Sequence, residues 1–79
     1  MQIEFVRSFG KRVEARAIIP RSAVDLGLFD YNRDQTSGCL QIAGVYVEFL
    51  IKRIYWRSDS IELRFNCKEF EFKQLKSAV

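Results

Sequence analysis

Seventy-nine residues, 48% hydrophobic, 14% aromatic and 29% charged, make a single globular domain spanning 1–79 and exclude intrinsic disorder, collagen-like repeats and a second core. Thirteen Lys and Arg against ten Asp and Glu leave a net charge of +3, a mild excess compatible with nucleic acid, an acidic protein surface or plain solubility. The longest uncharged stretch, thirteen residues from Gln35 to Val47, falls short of the roughly 20 apolar residues that a spanning helix needs.

From Gln2 to Val6 the chain alternates, with Ile3 and Phe5 on one face, and Ser8-Phe9-Gly10-Lys11 supplies a turn. The next segment is a half-buried strand: Val13, Ala15, Ala17 and Ile19 share one face, and Arg12, Glu14, Arg16 and Ile18 the other. Pro20 ends it, Ser22 is expected to cap a short helix near residues 22–28, and Gly27 to stop it. Leu26, Leu28 and Phe29 would pin that helix to the sheet. Asp30 to Gly38, rich in Asp, Asn, Thr, Ser and Gly, reads as a surface loop of the kind that carries contacts.

Beyond Gly38, β-branched and aromatic residues dominate, and Gly44 marks a hairpin turn or bulge. Val45, Val47, Phe49 and Ile51 alternate with Tyr46, Glu48, Leu50 and Lys52, but Ile54 breaks that register, so the strand must bend at Lys52 and Arg53. Ile54–Arg57 and Ile61–Cys67 flank Ser58-Asp59-Ser60 as a hairpin. Glu69 to Lys73 alternates and is expected to add a last strand, although Phe72, Leu75 and Val79 also fit a helical stripe. The expected fold is α+β, mostly β: a small curved antiparallel sheet of five to six strands, built from meandering hairpins, with one short helix. Surface scaling for 9.3 kDa gives about 5,000 Å² exposed after folding, a thin core to which homodimer formation would add.

Histidine is absent, which removes Ser-His and Cys-His nucleophile activation and the usual imidazole acid-base catalyst. Cys39 and Cys67 form no metal-binding or disulfide spacing and are expected reduced; Cys67 falls on the face of Ile61, Leu63 and Phe65 as a buried thiol. Asp25, Asp30 and Asp34 lack the alternation of a calcium loop, and the glycines at 10, 27, 38 and 44 assemble no phosphate-binding loop. No catalytic residue, cofactor or metal is therefore assigned, and the start Met1-Gln2-Ile3-Glu4-Phe5, without a signal-peptide pattern, suggests a cytoplasmic protein.

Arg16-Ala17-Ile18-Ile19-Pro20-Arg21, followed by Leu26-Gly27-Leu28, resembles the strand-Pro-helix core of AbrB-type swapped-hairpin DNA-binding regulators. The segment from Pro20 to Leu26 is one residue shorter than that motif and no glycine precedes Arg16. The β-rich remainder has no counterpart there, so the resemblance assigns no family.

Charge is patchy: Arg7 to Arg21 holds five bases and one acid, and Asp25 to Asp34 three acids and one base. In Lys52-Arg53-Ile54-Tyr55-Trp56-Arg57, bases interleave with aromatics as on sheets that stack single-stranded bases. Arg53, Tyr55 and Arg57 would share an outward face, extended by Arg12, Arg16 and Arg64, while Ile54 and Trp56 anchor the core. Glu14, Glu62 and Glu71 are the acids that could offset this row.

Two functions follow as expectations. The first is a non-catalytic protein-interaction module, such as a stand-alone inhibitor or adaptor of the phage or mobile-element type, acting on a larger protein or nucleoprotein machine, with Tyr31, Arg33, Tyr55 and Arg57 as anchors. The second is a small RNA- or single-stranded-DNA-binding domain built on Arg53, Tyr55 and Arg57.

Overall fold

The computed structural model describes residues 1–79. In chain order the elements are β1 (Gln2–Phe9), β2 (Arg12–Pro20), α1 (Arg21–Asp25), β3 (Phe29–Tyr31), β4 (Ser37–Ile42), β5 (Val45–Trp56), β6 (Ser60–Lys68) and α2 (Glu69–Ala78). The six strands form one antiparallel sheet in the order β1-β2-β6-β5-β4-β3. No helix is long and apolar enough to cross a membrane.

Alternation decides which face is buried. Val13, Ala15, Ala17 and Ile19 of β2 and Ile61, Leu63, Phe65 and Cys67 of β6 are all sealed from solvent, and these central strands pair without interruption from Arg12↔Lys68 to Pro20↔Ser60. Phe49 of β5 packs on Phe65 with ring centres 4.4 Å apart and stacks on Phe29 of β3 at 6.5 Å, which ties the outer strands to the centre. The accessible surface, 4989 Å², agrees with the size scaling.

The turns follow from local chemistry. Gly10-Lys11 closes the first hairpin, and Ala43-Gly44 closes the β4–β5 hairpin with both residues at positive φ (49° and 82°), the twist that a two-residue connection requires. The bend expected at Lys52 and Arg53 is a bulge: pairing with β6 shifts register between Ile51 and Arg53.

Several expectations are corrected. Glu69 to Lys73 is helix, not strand. Glu71 reaches back to accept the Lys68 backbone N–H at 2.9 Å, acids in the first turn and Lys76 in the last suit the helix dipole, and Leu75 is fully buried under the sheet. The Phe72–Leu75 stripe wins over the two-residue alternation because β6 already has β2 and β5 on its two sides. Phe72 meets Phe5 edge-on at 6.2 Å, and Lys76 Nζ donates to the Ile3 carbonyl at 2.7 Å.

Ser22 does not cap α1; Pro20 occupies the cap position without a side-chain bond. Gly27 does stop the helix, at φ 79°, with the Leu28 N–H donating to the Ala23 carbonyl at 3.0 Å. Leu26 pins nothing and is 78% exposed. The Asp30–Gly38 loop is shorter than expected, because Phe29–Tyr31 forms an edge strand on β4 and Asn32 Oδ1 accepts the Thr36 and Ser37 N–H groups at 2.8 and 3.0 Å. Trp56 lies on the core side but at its periphery, 44% exposed.

Candidate interaction face

Both helices pack on one side of the sheet, and the other side is left uncovered by any helix. Across β1, β2, β6 and β5 the register sets Glu4, Arg16, Arg64 and Arg53 side by side. Arg16, Arg64 and Arg53, which lie far apart in sequence, thereby form one cross-strand ladder. Neighbouring strands are about 4.8 Å apart, so the ladder spans about 10 Å.

The adjacent row holds Arg7, Glu14, Asn66 and Leu50. Glu14 is the centre of this face. Its side chain is 2% exposed although no helix covers it; the long stems of its basic neighbours do so. Arg7 Nε lies 3.3 Å from Oε1, Lys52 Nζ 3.0 Å from the same oxygen, and Arg64 Nη1 3.4 Å from Oε2. The hydrogen bond from Lys52 outweighs the burial penalty and, with the Arg7 and Lys52 charges and the Arg64 hydrogen bond, holds the Glu14 carboxyl below its ordinary pKa.

One acid does not neutralise the face. Arg7, Arg12, Arg16, Lys52, Arg53, Arg64 and Lys68 outnumber Glu4, Glu14, Glu48 and Glu62 on these four strands, so they hold an excess of positive charge equal to that of the whole chain. Arg53 forms no ion pair; its guanidinium lies 5.8 Å from the Tyr55 ring centre and its Nη1 3.4 Å from the Tyr55 hydroxyl. Arg16 reaches only Glu4, at 3.7 Å, and the Nε atoms of Arg16 and Arg64 are buried without a hydrogen-bond partner.

The expected residues divide. Arg12, Arg16, Arg53, Tyr55 and Arg64 share the helix-free face. Arg57 lies one residue beyond β5 and its Nη2 bonds Glu62 at 3.1 Å, which spends its charge. Tyr31 sits on the opposite side of the sheet, stacked on Phe29 at 5.5 Å and edge-on to Trp56 at 5.7 Å. Arg33, in the turn after β3, joins neither group. Glu71 belongs to α2 and offsets nothing in the ladder.

The sequence pattern marks neither Lys52 nor Arg7 as a partner of Glu14, and it presents Glu14 only as one surface acid among three. A signal was present, because Glu14 is the one acid among the five bases from Arg7 to Arg21.

Beside this face, a cleft of about 600 Å³ opens where the first half of β5 is not paired with β6; Arg12, Lys68, Asp30, Glu48, Glu71 and Tyr46 are among its walls. Tyr46 donates its hydroxyl to Glu48 at 3.0 Å, and that bond, together with Cys39, pushes its pKa up to about 12. No protein-family model, curated protein or solved structure matches the chain.

Proposed function

We propose that this chain is a non-catalytic interaction module whose helix-free sheet face docks on an acidic surface of a larger protein or nucleoprotein assembly, as a stand-alone inhibitor or adaptor would. The observation that carries the reading is the ladder Arg16–Arg64–Arg53. Like charges directly opposite one another on neighbouring strands destabilise a sheet; Arg64 bonds Glu14, but that contact does not account for Arg53 and Arg16 beside it, whereas an incoming carboxylate row would neutralise all three with charge-assisted bonds. Tyr55, Leu50 and Tyr46, each exposed on that side, supply the apolar area that anchors such contacts.

A second reading, direct binding of RNA or single-stranded DNA, is favoured by the position of Tyr55 beside Arg53, a pairing that suits base stacking with phosphate neutralisation.

The test is capture from a host lysate, in nuclease-treated and untreated halves, by the wild-type chain and by the double variant Arg53→Glu/Arg16→Gln, which spares the Arg64–Glu14 contact. A defined protein retained after nuclease by the wild type and lost by the variant is the expected result. Loss of all capture on nuclease treatment selects the second reading, and capture that the double variant leaves intact overturns both.

A further inference from the structure

We propose that the cleft beside β5 binds a small zwitterion, a free amino acid or dipeptide with an apolar side chain, holding its ammonium group on the β5 side and its carboxylate on the β6 side. This site is separate from the arginine ladder and does not depend on the reading given for it.

One row of the sheet is split at this cleft. Lys68 on β6 lies opposite Arg12 on β2. Glu48 on β5 lies opposite Cys39 on β4, and Cys39 opposite Asp30 on β3. At this end of β5 the last residue paired with β6 is Leu50, opposite Asn66; two further steps of the same antiparallel register would set Glu48 against Lys68. Arg12, Lys68, Glu48, Cys39 and Asp30 thus belong to one row, with both bases on one side of the gap and both acids on the other.

An unbroken sheet would join Lys68 to Glu48, since opposite charges on facing residues of neighbouring strands attract. Pairing stops before that contact, and the ion pairs of the chain involve none of Arg12, Lys68, Glu48 and Asp30. The gap between the two halves of the row is the cleft of about 600 Å³, within the range of ligand sites.

A third acid borders it. Glu71 stands on the basic side, where its Oε1 accepts the Lys68 backbone N–H at 2.9 Å and closes the first turn of α2. Two bases against this one acid leave that wall positive, whereas Asp30 and Glu48 make the opposite wall negative. A ligand of a single sign is repelled by one wall or the other; a zwitterion is attracted by both. On the acidic side Glu48 Oε1 accepts the Tyr46 hydroxyl and Asp30 Oδ1 the Tyr31 N–H, which leaves the second oxygen of each carboxylate for an ammonium group, a donor of three bonds. Arg12 and Lys68 offer charge-assisted bonds to the carboxylate. Tyr46 and Leu50, both exposed beside the acids, give an apolar side chain a surface to cover.

The experiment follows the backbone amide NMR spectrum of the full chain as phenylalanine and the dipeptide Gly-Phe are added, each also as its C-terminal amide and its N-acetyl derivative. The expected result is a shift of the Glu48 and Lys68 amides by at least one of the two zwitterions, with affinity falling about tenfold when either end is blocked, as loss of a charge-assisted hydrogen bond implies. Glu48→Gln removes the discrimination against the N-acetyl form alone, and Lys68→Gln the discrimination against the amide alone, a division that general unfolding does not produce. Arg53→Gln changes neither. No shift at these amides with either zwitterion, blocked forms that bind as well as the free ones, or variants that lose affinity without this division would overturn the proposal. Backbone nuclear Overhauser contacts joining Glu48 to Lys68 in the free chain also overturn it, because the split row would then be zipped shut.

Discussion

Lys52 Nζ lies 3.0 Å from Glu14 Oε1, although Lys52 is on β5, Glu14 is on β2 and β6 runs between them. The bulge at Lys52 releases that residue from simple alternation, and its long side chain crosses the intervening strand to the acid. A backbone irregularity legible in the sequence thus serves a charge centre assembled from β1, β2, β5 and β6.

Replacing Glu14 with Gln should lower the stability of the fold by about 1–3 kcal/mol, since it leaves Arg7, Lys52 and Arg64 facing one another without their acid. Urea denaturation at neutral pH measures the loss. A midpoint equal to that of the wild type would show that the three bases repack at no cost.

The same carboxylate sets a pH dependence. Its folded pKa is depressed below the ordinary 4.5, so its stabilisation is complete above that value and is lost as pH falls through the lower, folded one. Thermal melts from neutral pH to below pH 4.5 should show a decline in the wild type that is smaller in Glu14→Gln.

Arg53→Gln should leave the fold as stable as the wild type or raise its stability by a few tenths of a kcal/mol, because it relieves the like charge opposite Arg64. Partner capture should weaken at the same time. A clear loss of stability would mean that the ladder is structural, and the functional argument built on it would fall.

Gly38 is predicted to tolerate no side chain. A Cβ there would lie 2.8 Å from the Asp30 carbonyl oxygen, 3.1 Å from Ile51 Cδ1 and 3.2 Å from Phe49 Cε1, so Gly38→Ala must push β3 from β4 and should cost about 1–3 kcal/mol. Chemical denaturation checks the cost, and faster amide exchange in Phe29–Tyr31 would locate it.

The two thiols should differ in reactivity. Burial pushes the Cys67 pKa up to about 11, with Glu71 adding to the shift, whereas Cys39 is only half-buried. A thiol reagent should modify Cys39 in the native protein and Cys67 only on unfolding. From the ordinary 9.0 to about 11, the raised pKa also costs stability as pH rises, because the unfolded chain releases that proton first. Rapid modification of both thiols in the native state would contradict the sealed position of Cys67.

Sequence alone determined the faces of the central strands, because strict alternation through Val13–Ile19 and Ile61–Cys67 leaves one arrangement that buries the apolar set. It also determined the bend at Lys52, since Ile51 and Ile54 cannot both face inward on an unbroken strand, and it excluded imidazole chemistry by the absence of histidine. Tertiary structure decided what depends on neighbours distant in the chain. Glu69 to Lys73 fitted two periodicities, and the choice fell to helix because both sides of β6 were taken and Leu75 could be buried against the sheet. Arg16, Arg64 and Arg53 became a ladder only through pairing of three strands, and Glu14 became a buried anchor only when Arg7, Lys52 and Arg64 converged on it. Local pattern records which way a side chain points; register and strand order determine what it meets there.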